Sequence, residues 1–378
     1  MPKEVTRHVS DGVQRILWGK AAGRCEFAGC NRPLWKSSVT QEQVNIAQKA
    51  HIYSCRADGP RGNESIQADK VNDLSNLMLV CHECHRKMDQ EKDGGRYPAE
   101  LLQRMKASHE RRIETVTGVH PDRRSHVVLY GTAIGDHNSP LSFNAAAMAL
   151  FPERYPADDM AIELPTVNSW ARDRDQEFWR IEDTHLVKMF EKRVRERLAD
   201  GSVNHLSVFA LAPQPLLTRL GVLLTDIPDA EIFARHREPQ GWEWRDHPAG
   251  FSFVVREPEV VSGPPALVLS LSATVSKDRI AAVIGSNATF WTVTIPEPHN
   301  DFLQSRHQLQ EFRDLARRLM VKIKAAHGHD AVLHIFPAAP AAISVELGRI
   351  RMPKADLKWQ VWDQVNARGG FVSAISIT

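Results

Sequence analysis

The sequence predicts a chain of two units: a small α+β domain stapled by a structural zinc, followed by a larger α/β region made of two similar halves. Three observations carry this. The five cysteines, Cys25, Cys30, Cys55, Cys81 and Cys84, all fall in the first quarter of the 378 residues. A hydrophobic stretch around Phe209 recurs when the sequence is slid along itself by 127 residues. Between them, from about Thr117 to Pro140, Gly118, Pro121, Gly131, Gly135 and Pro140 make a segment rich in breakers. At roughly 100–200 residues per domain the length also asks for two or three domains.

Composition narrows the classes. Charged residues at 25% and hydrophobic residues at 42% are ordinary for a folded chain and exclude disorder as the main state. The net charge is only +2, so any nucleic-acid contact must come from a local patch. That patch belongs to the front: residues 1–118 hold 19 Lys+Arg against 15 Asp+Glu, whereas the rest hold 29 against 31. No run of about 18 apolar residues is present, and Met1 to Gly12 lacks the apolar core of a signal peptide. The expectation is a cytoplasmic protein with no membrane partner. Clustered thiols in a reducing compartment then point to metal rather than disulfides.

In the expected first domain, residues 1–118, Cys25 and Cys30 form one pair and Cys81-His-Glu-Cys84 another, about fifty residues apart. Four thiolates suit one tetrahedral Zn²⁺ with no open position; the alternative is isolated core cysteines. Cys55 is left over and reads as a buried small hydrophobe. Between and beside the pairs stand Ala50-His51-Ile52, Asn76-Leu77 and His85. From Gly23 to Lys92 the order of these residues resembles the HNH endonucleases, in their four-cysteine form, and implies a ββα-metal fold. Phosphodiester hydrolysis needs a base for water, a cation on the phosphate and leaving oxygen, and something to hold the base. The assignments are His51 as general base, Asn76 bonding backbone to fix the loop that carries it, and His85 on a catalytic Mg²⁺ or other divalent cation.

One departure stands out. Many HNH members have a metal ligand immediately before the base, and this chain has Ala50. His82 or Asp73 is a candidate replacement, an exposed knuckle residue being the plainer reading of His82; otherwise His85, water and phosphate hold the ion. Arg56, Arg61, Arg86 and Lys87 near the motif, with Arg104, Lys106, Arg111 and Arg112 on a helix expected over Pro98–Thr115, are candidates for the phosphates of double-stranded DNA. Solvated surface charge is the plainer reading of the same residues.

After a boundary at residues 119–139, whose His126 to Tyr130 already reads as a strand, the second domain is expected at 140–378. Its halves are about 140–250 and 251–378. At the 127-residue shift Phe209, Ala212, Pro213, Leu220 and Gly221 fall on Phe336, Ala339, Pro340, Leu347 and Gly348. Each copy is a strand that stops at Pro and continues as a helix reaching Leu-Gly. Each follows a helix-period segment, with Leu186, Phe190, Val194 and Leu198 on one face and Phe302, Leu309, Phe312, Leu319 and Ile323 on the other. The alternation predicts two Rossmann-like halves of mostly parallel strands, related by a pseudo-twofold axis and sharing a crevice at their strand C-termini.

The stretch from Leu333 to Arg349, the strand Leu267 to Ser272 and the zinc unit upstream together resemble the SAVED sensor domains, which are related to CARF domains. The combination is similar to the HNH-SAVED effectors of CBASS antiphage systems. That resemblance implies a cyclic di- or trinucleotide activator, assembly into homo-oligomers of two to four chains on activation, and degradation of double-stranded DNA. Helix starts after Pro213 and Pro340, with Gln214, are the first expectation for the ligand crevice. Ser272, Thr274 and Lys277 follow a strand and offer hydrogen bonds, and Trp242 or Trp244 offers a base-stacking face. Two other readings remain: a restriction-type HNH enzyme with a C-terminal DNA or modified-base reader, and a zinc interaction module without cleavage.

Overall fold

In the computed structural model the chain divides into two units, Met1–Val119 and His120–Thr378. The structure describes residues 8–56, 58–62, 66–91, 95–131, 141–166, 175–365 and 370–378. In the first unit the Ser10 hydroxyl accepts the Val13 N–H and opens α1 (Asp11–Lys20). Strand β1 (Ala47–His51) pairs antiparallel with β2 (Leu77–Cys81), with Ala47 opposite Cys81 and His51 opposite Leu77. All of β2 is buried, which accounts for its unbroken apolar sequence. Cys81 then caps α2 (His82–Met88), and α3 (Ala99–Thr117) completes the unit.

The second unit begins with β3 (Arg124–Gly131), inside the stretch expected as a boundary. That expectation is corrected in part: β3 is a central strand because Val127 to Tyr130 are buried on both faces, and residues 132–140 lie outside the described residues. There follow α4 (Phe143–Ala149), β4 (Tyr155–Pro156), β5 (Ile162–Leu164), α5 (Gln176–Phe190), α6 (Glu196–Ala199), β6 (Leu206–Leu211), α7 (Gln214–Leu224) and β7 (Ala230–Phe233). Their strands lie parallel in the order β4-β3-β6-β7, with β5 also on β3.

The second sheet takes β8 (Val254–Arg256), β9 (Pro265–Ser270), β10 (Thr289–Thr294), β11 (Val332–Ala338), β12 (Lys358–Val365) and β13 (Gly370–Ile377). Between them run α8 (Lys277–Ile284), α9 (Arg306–His327) and α10 (Ala341–Arg349). The order is β13-β12-β11-β9-β10-β8, parallel in the middle and antiparallel at both edges. A capping box of Ser305 and Gln308 starts α9, whose Leu309, Phe312, Ala316, Leu319 and Ile323 are buried. Phe302, expected on that face, is buried too but precedes the helix.

The two copies seen in the sequence meet at α7 and α10. A Cβ at Gly221 would lie 1.9 Å from the Val345 carbonyl oxygen and 2.9 Å from the Gly348 Cα. A Cβ at Gly348 would lie 2.0 Å from the Thr218 oxygen and 2.9 Å from the Gly221 Cα. Each glycine thus touches the shift-equivalents of what its partner touches, the signature of a local twofold axis. Arg349, itself buried, donates across this junction to the carbonyls of Thr225 and Ala230, both at 3.1 Å. One hydrophobic core then runs through both sheets, from Val128 and Leu206 to Ile335 and Ile375.

Alanine is the better helix former by about 1 kcal/mol, but a methyl group driven into a backbone carbonyl costs more, typically about 1–3 kcal/mol and above. Gly348→Ala and Gly221→Ala should each lower the midpoint of denaturant unfolding, by a free energy of about 1 kcal/mol or more at unchanged m. Gly12→Ala, on α1 with open space around it, should cause no such loss and should raise stability if it changes it.

Candidate functional site

In the first unit the Sγ atoms of Cys25, Cys30, Cys81 and Cys84 lie within 4.8 Å of one another. Cys30 and Cys81 sulfurs are 3.9 Å apart, and the Cys25 sulfur accepts the Cys81 N–H at 3.4 Å. Burial pushes the Cys25 thiol up to about 12 and the Cys84 thiol well above its ordinary value. Four converging sulfurs at this spacing are compatible with a structural zinc, whose charge offsets the cost of burying thiolates. The cluster joins the segment before β1 to the end of β2 and the start of α2. Cys55 is partly exposed beside β1 rather than buried as expected, because it sits in the loop after the strand.

His51 ends β1, and Asn76 enters β2 from the loop before it. The Asn76 amide is buried; its Oδ1 accepts the Tyr53 N–H at 2.8 Å, while its Nδ2 donates to Tyr53 O at 3.0 Å and Val71 O at 2.8 Å. These bonds brace the chain just beyond His51. His51 Nε2 lies 2.9 Å from Asn72 Oδ1, which leaves Nδ1 as the basic nitrogen.

On α2, His85 Nδ1 donates to Gln48 Oε1 at 2.5 Å, and its Nε2 faces Asp89, whose Oδ2 is 3.3 Å away. Burial acts against ionisation of Asp89, but the bonds from His85 and Arg61 outweigh it and hold its carboxyl below the usual range. His51, His85 and Asp89 open together onto a cleft of about 300 Å³ also lined by Lys49, Ser54, Cys55 and Arg61.

Among the described residues, the cleft lining includes neither His82 nor Asp73. The carboxylate beside His85 comes from Asp89. The sequence signal for it is the i, i+4 spacing on α2, which puts both side chains on one face.

Arg61 corrects another expectation. Its side chain is only 4% exposed, and it donates to Ile52 O at 2.5 Å, Met88 O at 2.7 Å, His51 O at 3.3 Å and Asp89 Oδ1 at 2.7 Å. It therefore ties the loop after β1 to the end of α2 instead of facing phosphate. Lys106 is likewise buried, held by Glu110 at 2.5 Å and near Glu26 at 3.8 Å. Arg112 bonds Asn31 at 2.8 Å, and Lys87 pairs with Glu83 at 3.0 Å in the open. Arg56, Arg86, Arg104 and Arg111 are exposed.

In the second unit, the C-terminal ends of β6 and β11 and the starts of α7 and α10 border a crevice of about 260 Å³. Gln214, Ser272 and Pro340 line it, next to Pro213, together with Arg235, Arg237 and Asn300, which the sequence reading did not choose. The connection after β7 delivers the two arginines, and irregular charged loops of this kind carry no periodic signal. Gln214 is engaged across the junction: its Nε2 donates to Ala339 O at 2.6 Å, and its Oε1 accepts the Ser344 hydroxyl.

Thr274 and Lys277 line a separate cavity of about 510 Å³ against β8 and β10. Trp242 does not offer a stacking face. It is 2% exposed and packs edge-on to Phe209 with ring centroids 5.1 Å apart. Trp244 stacks on Phe233, donates to Glu231 Oε1 at 2.8 Å, and lines a third cavity of about 560 Å³ with His205, Arg306 and Arg313. That cavity lies at the opposite, N-terminal end of β6 and β7.

The sequence profile of SAVED, the "SMODS-associated and fused to various effectors sensor domain", matches residues 186–377. The chain belongs to the SAVED family. No curated protein matches the sequence. Among solved structures, the SAVED chain is similar to the Acinetobacter baumannii Cap4 SAVED/CARF-domain receptor with the cyclic trinucleotide 3'3'3'-cAAA, at 11% identity and TM-score 0.43. That likeness covers 78% of this chain and 61% of the receptor. The Moraxella osloensis Cap4 receptor gives 12% identity, coverage of 84% and 62%, and TM-score 0.43. The SAVED chain thus spans about 61% of the length of the first of these receptors. No helix among the described residues is long and apolar enough to cross a membrane.

Replacing Arg61 by Leu leaves three carbonyls without a donor and the partly exposed Asp89 without its partner, a loss of about 1–3 kcal/mol. Urea unfolding followed by Trp fluorescence should show it. A second expectation concerns His205, whose burial pushes its imidazole down to about 4. In the unfolded chain it titrates near 6.5, so the unfolded state binds the extra proton between those values. Its contribution is complete above about pH 6.5 and is lost as pH falls toward 4, and His205→Asn should flatten that part of the stability profile.

Proposed function

We propose that this SAVED protein is a cytoplasmic, cyclic-oligonucleotide-activated, metal-dependent HNH endonuclease that degrades double-stranded DNA in antiphage defence. The observation that carries the reading is that His51, His85 and Asp89, from β1 and α2, converge on one cleft beside a four-thiol cluster. His51 takes a proton from water on Nδ1 while Asn72 holds Nε2 and Asn76 keeps the following loop in place. His85 Nε2 and Asp89 would hold the divalent cation, with Gln48 fixing the imidazole tautomer and Arg61 fixing the carboxylate. When bound, Mg²⁺ there supplies neutralisation of the scissile phosphate and the leaving oxygen. Arg56 and Arg86, both exposed, are left for the DNA backbone.

On this reading the activator, a cyclic di- or trinucleotide, sits at the mouth of the crevice between the halves. Membership of a sensor-domain family supports this, as do Arg235 and Arg237 opposite the starts of α7 and α10, an arrangement suited to phosphate. Ligand bound there promotes assembly of two to four chains and brings nuclease centres together to cut both strands.

A plasmid-degradation assay on the full chain, screened over a panel of cyclic di- and trinucleotides, tests the whole reading. One member should switch on cleavage in the presence of Mg²⁺. His51→Ala should reduce the activated rate by about 100-fold or more, the range for a general base. Arg235→Glu with Arg237→Glu should abolish ligand binding and activation while leaving the fold intact. Equal cleavage with and without every cyclic nucleotide would remove the switch, and undiminished cleavage by His51→Ala would remove the assigned base.

A further inference from the structure

Outside both sites, the second unit holds a cluster that neither needs. His247, His307 and Glu311 bring one ligand atom each to within 4.8 Å of one another. His307 and Glu311 are four residues apart on the first turns of α9, so they share a face. His307 Nε2 is 3.3 Å from Glu311 Oε1. His247 comes from the connection between β7 and β8, and its ring stands at 80° to that of His307, with centroids 4.7 Å apart.

We propose that His247, His307 and Glu311 form a binding site for a divalent transition-metal ion of the Zn²⁺ or Ni²⁺ type. Two imidazoles and one carboxylate are the ligand set that such ions prefer over Mg²⁺ or Ca²⁺. Metal–nitrogen and metal–oxygen bonds of about 2.0–2.1 Å put tetrahedral ligands roughly 3.3–3.4 Å apart, which the His307–Glu311 pair already satisfies.

The outer contacts agree. His247 Nδ1 lies 3.0 Å from the Ser305 hydroxyl, a contact that holds the ring in place. Glu311 Oε2 is buried without a hydrogen-bond partner, an acceptor that a cation would satisfy. The backbone is held on both sides of the site: Arg245 N–H donates to Gln304 O at 2.9 Å, and Phe251 stacks on Phe302 at 6.0 Å. An ion at this point fastens the connection between the two sheets to the start of α9, leaving its remaining positions to water.

Full chain carrying His85→Ala, which removes the imidazole of the nuclease cleft, with its thiolate site loaded with zinc and titrated with Ni²⁺ in a calorimeter, tests the site. One equivalent should bind, without the sulfur-to-metal charge-transfer absorption that thiolates give, and it should raise the unfolding temperature. His307→Ala and His247→Ala should each weaken that binding at least tenfold and abolish the thermal shift, while His299→Ala, outside the cluster, should change neither. His307 is 65% exposed, so its replacement leaves the core untouched, and circular dichroism checks that each variant is folded. Absence of a bound equivalent, or binding that persists unchanged in both histidine variants, overturns the site and shows an ordinary surface ion pair.

Discussion

The second unit depends on a close crossing of two helices that only glycine permits. At Gly221 and Gly348 the backbones of α7 and α10 come within the space a methyl group would fill. Everything that joins the halves is arranged around this point. Leu220 and Leu347 pack beside it, Arg349 reaches over it, and Gln214 bridges to Ala339 and Ser344 at its edge. Because interiors pack at near-crystal density, such a contact has little slack. The helix starts, and the crevice they border, are therefore set by how closely the two backbones approach.

The first unit has a comparable pivot in the chain around His51. Three elements hold it by different chemistry: the thiol cluster at the base of β2, the Asn76 amide on the following backbone, and the Arg61 guanidinium between that loop and the end of α2. The histidines that open on the cleft are themselves only partly buried. Their orientation comes from Asn72 and Gln48, whose side-chain oxygens decide which ring nitrogen is protonated. A cleft built this way keeps both imidazoles oriented without fully burying either.

Different features were legible in the sequence to different degrees. The pairing of thiols, the strand into Pro213 or Pro340, and the helical face of α9 follow from spacing and periodicity, which local backbone geometry imposes directly. Arg61 and Lys106 were misread as phosphate contacts because a basic side chain looks the same in sequence whether it meets water or a ring of carbonyls. Trp242 was misread for a related reason: an aromatic residue in a charged loop has no periodic neighbours to reveal that Phe209 lies against it. Asp89 carried the i, i+4 signal but stood at the end of a short helix whose limit the sequence left open.

The sequence by itself determined the family, the duplicated strand-to-helix units, the four converging thiols and the glycines at equivalent places in both copies. These are properties of residue type and separation along the chain. Only the tertiary structure decided which arginines are buried braces and which line the crevice. It also decided that Asp89 stands beside His85, and that His247 meets His307 and Glu311 from another part of the chain. Such contacts join segments far apart in sequence, and they form only once burial has fixed the path of the chain between them.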